Sequence, residues 1–151
     1  DVRERMAGRY RALRVGPALA DLDVGPLISQ RQKGVVERFL GLARDGGPRI
    51  VAQGSLALDA PRSGHYVLPT LFEAVPPSHP LAQEEVFGPV QVLIAFDGEE
   101  QALQIANGTA YGLVAGVWTR DGGRQMRMAL ALKCDGGSGA AHRSAEVSLH
   151  K

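Results

Sequence analysis

Apolar residues along the chain switch repeatedly between a helical period and short continuous runs. The first segment has the helical period, and arginines fill the positions between the apolar ones. This pattern predicts an amphipathic helix with a basic outer face. Its apolar stripe consists of Val2, Met6, Tyr10 and Leu13. The Gly16-Pro17 sequence is predicted to end the helix, and further Gly and Pro residues within 16–27 predict a loop.

A second helix is predicted to begin after Ser29. Ser29 and Gln32 have the spacing of a capping box, in which both side chains satisfy free backbone amides at a helix start. Gly46 and Gly47 provide the stop signal. Between these two ends runs an apolar stripe at helical spacing, formed by Val35, Val36, Phe39, Leu40 and Ala43.

Three later runs predict strands of different kinds. Residues 49–52 form a short strand, whereas residues 66–75 are rich in β-forming side chains but include Pro69. Because proline cannot donate to a strand ladder, we expect an edge or irregular strand there. Residues 89–96 are nearly all apolar, which is typical of a strand buried on both faces of a parallel sheet.

The alternation of helices and strands continues through the next part of the chain. Asp97 predicts the N-cap of a helix that Asn107 and the glycine after it close. Residues 113–119 predict another buried strand, and Asp121 can cap a helix that runs to about Lys133. Strand–helix–strand spacing of this kind implies right-handed βαβ units in a layered α/β domain.

The sequence changes character after Lys133. Residues 134–151 are mostly small or polar and have no periodic pattern, so we expect a flexible tail without a strand. The sequence therefore predicts a packed region, 1–133, and an aberrant or disordered tail, 134–151.

Composition narrows the possible classes of function. With 44% hydrophobic and 22% charged residues among 151, the chain can bury one core. A net charge of +1 gives no indication of a nucleic-acid partner, and the apolar runs predict no membrane span. The single cysteine, Cys134, excludes an internal disulfide and favours a reducing, cytoplasmic location. The histidines lack metal-ligand spacing, so we expect no metal site.

Several motifs occur in the order found in a known enzyme family. They are Gly-Pro-Leu-Ile-Ser at 25–29, Gly-His-Tyr-Val-Leu-Pro-Thr-Leu at 64–71, Glu-Glu-Val-Phe-Gly-Pro-Val at 84–90, Ala-Asn-Gly-Thr-Ala-Tyr-Gly-Leu at 106–113 and Ala-Gly-Val-Trp-Thr-Arg-Asp at 115–121. In this order the motifs resemble the aldehyde dehydrogenase family, and the resemblance covers residues 25–121.

The resemblance implies a fold and an activity. The fold is an incomplete α/β domain over 1–133, namely the layered parallel-sheet (Rossmann-like) catalytic domain of the aldehyde dehydrogenase type. The activity is oxidation of a small-molecule aldehyde to a carboxylic acid with NAD or NADP, through a cysteine thioester. The full-length form would be a homo-oligomer. The sequence leaves open which aldehyde and which of the two nucleotides are used.

The resemblance also assigns cofactor contacts within the motif at 84–89. A carboxylate can accept hydrogen bonds from both hydroxyls of a ribose, and an aromatic ring can pack on a flat nicotinamide. By similarity, Glu85 would bind the nicotinamide ribose and Phe87 would contact the nicotinamide. We expect Gly88 to let the backbone approach the ligand, and Pro89 to set the entry into the next strand. The alternative interpretation is a capped short helix with solvated glutamates and Phe87 in the core.

No catalytic residue is expected within this chain. In the family, the cysteine nucleophile precedes the Glu-Glu-x-Phe-Gly-Pro motif in a Gly-Gln-x-Cys loop, whereas Cys134 follows the motif without that context. We therefore expect the nucleophile and the general base to lie upstream of Asp1, and the isolated chain to be inactive. Two alternatives stay open: an inactive truncated remnant or association module, and an acylating reductase of the same superfamily.

Overall fold

The computed structural model of the chain describes residues 2–45, 47–112, 114–133 and 144–148. Within these residues the helices are α1 Val2–Ala12, α2 Gln30–Asp45, α3 Pro80–Gln83, α4 Gly98–Ala106 and α5 Gly122–Ala131. The strands are β1 Arg14–Val15, β2 Arg49–Gln53, β3 Ser55–Leu56, β4 Thr70–Glu73, β5 Val90–Val92, β6 Val114–Trp118 and β7 Ser144–Ser148. The chain divides into two compact units, residues 1–94 and residues 95–151.

A three-stranded sheet organises the first unit. Its order is β2-β4-β5, with β4 antiparallel to β2 and parallel to β5. Of the two possibilities predicted near Pro69, the edge strand is wrong, because β4 is the central strand. The ladder between β2 and β4 is irregular, with a register shift between Ile50 and Ala52. Pro69 lies just before Thr70, so its missing N–H falls outside the ladder, and its carbonyl accepts a 2.9 Å hydrogen bond from Gly54 N. A second, smaller sheet pairs β1 with β3 in parallel.

Helix α2 covers one part of the first unit's core. The predicted stripe is confirmed, since Val36, Phe39 and Ala43 are all at most 2% exposed. These side chains pack with Phe72 of β4, which is 1% exposed, and with Val86. Helix α1 supplies a separate contact, in which its Ala7 packs with Ala52 and Leu71. A helical apolar face thus lies on a sheet, as the alternating pattern predicts. The sheet itself is mixed, because β2 pairs with β4 antiparallel.

Helices α4 and α5 form the core of the second unit around Ala102 and Met128, which are 2% and 0% exposed. Asp121 caps α5 as predicted, because its Oδ1 accepts a 3.0 Å hydrogen bond from Arg124 N. The side chain of Asp97 makes no such bond at the start of α4. Instead, the backbone N–H of Asp97 donates a hydrogen bond to Gln101 Oε1. The side-chain bond is therefore made by Gln101 to the backbone of Asp97, and not by Asp97 to the helix.

Asn107 ties the ends of the two helices together. Its Nδ2 donates to Ala131 O at 3.0 Å, and its Oδ1 accepts from Lys133 N at 2.8 Å. It also stands at the C-cap of α4, as the sequence predicts. The amide therefore satisfies backbone groups at the end of α5 that the helix itself leaves without partners.

Strand β6 pairs in parallel with β7, from Val114 opposite Ser144 to Trp118 opposite Ser148. The expectation that no strand follows Lys133 is therefore wrong for residues 144–148. Ladder hydrogen bonds use backbone groups that every non-proline residue carries, so a segment without an apolar run can still pair. The rest of the predicted tail, 134–143 and 149–151, lies outside the described residues.

Glu99 in the first turn of α4 accepts hydrogen bonds from two arginines of α5. Arg127 donates from Nε and Nη2 at 3.0 and 2.7 Å, and Arg124 donates from Nε at 2.9 Å. The bonds from Arg127, and then those from Arg124, lower the pKa of Glu99 from its usual 4.5 to about 2, because they favour the carboxylate.

We expect this cluster to make the stability of the second unit depend on pH. The folded pKa of Glu99 lies below the unfolded value, so its contribution is fully present above pH 4.5 and is lost as the pH falls through about 2. Glu99→Gln should abolish that part of the acid dependence, and Glu100→Gln in the same turn should preserve it. Thermal unfolding followed by circular dichroism across this pH range measures the effect. Equal acid dependence in the wild type and Glu99→Gln would contradict the assignment.

Candidate functional site

Residues 84–89 connect helix α3 to strand β5. Glu84 is the C-cap of α3, with its N–H donating to Pro80 O at 2.8 Å. At the other end, Pro89 O accepts a 2.8 Å hydrogen bond from Thr70 N, which starts the pairing of β4 with β5. The predicted role of Pro89 at the strand entry is therefore confirmed. We refer to residues 84–89 as the 84–89 segment.

Adjacent apolar side chains of this segment point into different environments. Val86 is 8% exposed and belongs to the core cluster of the first unit, whereas Phe87 is 69% exposed. The alternative interpretation, with Phe87 in the core, is thus wrong, because Val86 fills that place. Phe87 is one of several large apolar side chains that are exposed among the described residues, together with Leu19 and Leu58.

Phe87 has a left-handed backbone conformation, with φ of 50°. The segment is therefore not extended at Phe87. For a bulky residue this region of φ costs about 1–3 kcal/mol and persists only when the surroundings impose it. The half-buried carboxylate of Glu85 lies two residues before this turn in the backbone.

Gln32 of α2 provides such surroundings. Its Nε2 donates to Val86 O at 3.1 Å and to Phe87 O at 3.0 Å. Only half of the predicted capping box is confirmed: Ser29 Oγ accepts from Gln32 N at 3.2 Å, but the Gln32 side chain does not return to Ser29. The local spacing gave no signal for its true partners, which lie 54 and 55 residues away in sequence.

Gly88 places the segment directly against α2. A Cβ atom on Gly88 would lie 2.5 Å from Val36 Cγ2, a distance that real Cβ atoms essentially never show, and 3.1 Å from Val36 Cγ1. Within the first unit, Gly88 therefore allows a close approach of the segment to Val36, and the approach to a ligand stays a prediction. Gly88 and Gln32 together fix the segment on one helix.

The other residues singled out in the sequence gain no shared site. His79 caps α3, since Leu81 N donates to its Nδ1 at 3.1 Å, and His65 Nδ1 is buried without a hydrogen-bond partner. Cys134 and the residues that follow it as far as 143 lie outside the described residues. Within the described ranges, no group of His, Cys, Asp and Glu side chains is arranged to hold a metal ion. Every helix described is also too short or too polar to span a bilayer.

Comparison with known protein families identifies the family of this chain. The family model described as "Aldehyde dehydrogenase family" matches residues 1–140. The chain belongs to the aldehyde dehydrogenase family. This match extends beyond both ends of the region, 25–121, over which the motifs show the resemblance.

Curated aldehyde dehydrogenases match most of the chain. A betaine aldehyde dehydrogenase from Cereibacter sphaeroides is 41% identical over 130 residues, which are 85% of this chain and 26% of the relative. One from Mesorhizobium japonicum is 36% identical over 132 residues, covering 86% of this chain and 27% of the relative. The chain thus spans about a quarter of the length of these enzymes.

Solved aldehyde dehydrogenase structures share the fold. A candidate aldehyde dehydrogenase from Burkholderia cenocepacia superposes with a TM-score of 0.86 at 53% identity, covering 88% of this chain and 28% of the other. A betaine aldehyde dehydrogenase from Staphylococcus aureus, crystallised with NAD+, gives a TM-score of 0.77 at 30% identity over 87% of this chain and 27% of the other. These matches confirm the predicted incomplete α/β domain with parallel strands.

Proposed function

We propose that this chain forms the nicotinamide side of the cofactor site in an NAD(P)-dependent aldehyde dehydrogenase that oxidises an aldehyde to a carboxylic acid. The observation that carries the proposal is the exposure of Phe87, 69%, on a backbone held by Gln32 and Val36. Strained backbone conformations of this kind are concentrated in ligand-binding and active-site segments, and here the strain accompanies a ring that is open to solvent. A flat nicotinamide ring, which is cationic in the oxidised nucleotide, is a partner of fitting shape for an aromatic face.

Glu85 supplies the polar half of the proposed contact. An ionised carboxylate can accept hydrogen bonds from two adjacent ribose hydroxyls and so fix the sugar relative to the ring that Phe87 contacts. Glu85 is half-buried in the first unit. The NAD+ complex of the related Staphylococcus aureus enzyme supports a nucleotide of this type.

The bound nucleotide would accept hydride from the substrate, and the residues of this chain would orient it. The family's thioester chemistry also needs a cysteine that precedes the 84–89 segment. The sole cysteine of these 151 residues, Cys134, follows it. We therefore expect the isolated chain to oxidise no aldehyde. We also expect it to bind NAD(P) very weakly, because the family's contacts to the phosphates and the adenine are not among the motifs found in these residues.

Replacing the Glu85 carboxylate tests the proposal. With nicotinamide mononucleotide as the probe, Glu85→Gln should weaken binding by about tenfold, the effect of losing one charge-assisted hydrogen bond. Glu84→Gln makes the same substitution at the adjacent, exposed glutamate and serves as the control. It should leave the affinity close to that of the wild type. NMR titration of the 151-residue chain measures both affinities and shows whether ring signals of Phe87 shift. Equal affinities in the two variants, or a Phe87 ring that does not respond, would contradict the proposal.

A further inference from the structure

One side chain of α2 contacts two consecutive carbonyl groups of the 84–89 segment. The primary amide of Gln32 has two N–H donors on Nε2, and that nitrogen lies 3.1 Å from Val86 O and 3.0 Å from Phe87 O. Both distances are within the usual range for N–H···O hydrogen bonds. A single amide group therefore bonds the two carbonyl groups that lie on either side of the φ and ψ angles of Phe87.

The geometry of these two bonds selects a backbone conformation. In an extended chain, successive carbonyl groups point to opposite sides, so one amide nitrogen cannot bond both. The left-handed conformation of Phe87, with φ of 50°, removes that alternation. The Gln32 amide thus favours the observed backbone over the extended one that phenylalanine would otherwise prefer.

The helix that carries Gln32 is itself held in place. Its first turn is capped by Ser29, whose Oγ accepts from the Gln32 backbone N–H at 3.2 Å. One turn later Val36 is fully buried and lies under Gly88. Because Ser29 before Gln32 and Val36 after it both make these contacts, the first turns of α2 hold the Gln32 amide in a fixed position.

We propose that Gln32 is a positioning residue, which holds Phe87 in its left-handed conformation and so directs the aromatic ring outward for the nucleotide. The conformational part of this inference stands on the two hydrogen bonds alone. The part that concerns the nucleotide rests on the function proposed above for Phe87. Gln32 would act through the segment's backbone, with no contact to the reacting atoms required.

The conformational part is tested on the 151-residue chain without nucleotide. Gln32→Glu keeps the size of the side chain but removes its N–H donors at neutral pH, and Gln32→Ala removes the whole group. Gln30→Glu makes the same chemical change at an exposed position of the same helix and serves as the control. The intraresidue amide–α proton NOE of Phe87, which is strong only at positive φ, reports the backbone. We expect it in the wild type and in the control, and its loss in both Gln32 variants. Retention of the strong NOE in both would overturn the proposal.

The nucleotide part is tested by titrating the same proteins with nicotinamide mononucleotide. We expect both Gln32 variants to bind about five- to tenfold more weakly than Gln30→Glu, a difference on the order of one neutral hydrogen bond. Unchanged affinity in variants that have lost the NOE would overturn the role of Gln32 in nucleotide binding. Failure of the wild type itself to bind would instead refute the proposed function, while the NOE result still decides the conformational role. Far-UV circular dichroism of each variant verifies that the helices remain folded.

Discussion

Gly88→Ala is expected to destabilise the chain by about 1–3 kcal/mol, the usual range for forcing extra volume into a packed contact. The added methyl group would lie 2.5 Å from Val36 Cγ2. Val36 is fully buried and packs within the core cluster of the first unit. Either α2 or the 84–89 segment must shift, which also disturbs the bonds that Gln32 makes. Urea unfolding followed by circular dichroism measures the change in the free energy of unfolding.

A double-mutant cycle separates this clash from a general loss of stability. Val36→Ala removes both methyl groups that the new Cβ would meet, so Gly88→Ala should cost less in the Val36→Ala background than in the wild type. We expect a coupling of at least about 0.5–1 kcal/mol, typical of residues in direct contact. Strictly additive effects of the two substitutions would show that the contact is not the cause.

Phe72→Ala is expected to have the largest effect of any single substitution considered, about 3–5 kcal/mol of destabilisation. The ring is 1% exposed, belongs to the central strand β4 and packs in the same cluster as Val36 and Phe39 of α2. Its removal leaves a cavity that residues on both sides of the sheet–helix contact cannot fill by small shifts. Equilibrium unfolding in urea gives the loss directly.

Phe87→Ala removes the same atoms from a ring that is 69% exposed, so it is the matched control. We expect a change in stability within about 0.5 kcal/mol, as for most surface substitutions, together with weaker binding of nicotinamide mononucleotide. A loss of stability comparable to that of Phe72→Ala would mean that Phe87 contributes to packing, and it would contradict both its placement and its proposed role.

The elements that the sequence predicts well are those specified by local chemistry. Helix α2 follows from its apolar period and from Ser29, and α5 begins where Asp121 can accept a hydrogen bond from a backbone amide. The family could also be predicted, because ordered motifs are a property of the sequence itself. Helix signals lie within short stretches of sequence, and the family is indicated by the order of such stretches. Neither requires knowledge of the three-dimensional contacts.

The features that escaped prediction depend on contacts between distant residues. Strand β4 is central because β2 and β5 pair on its two sides, which no window around Pro69 shows. Gln32 fits a capping box locally but binds carbonyl groups more than 50 residues later. Phe87 has positive φ although phenylalanine by itself disfavours it. In each case a tertiary interaction outweighs the local preference, which is common where a binding site is built.

The separation between Gln32 and its carbonyl partners also has a consequence for the order of events during synthesis. The chain grows from its N-terminus, so α2 is complete before Phe87, 55 residues later, has been added. Until then, the Gln32 amide lacks its two carbonyl acceptors, and Val36 lacks its contact with Gly88. The proposed nicotinamide surface therefore cannot form before residue 87 has been added, since it needs contacts across this separation in sequence.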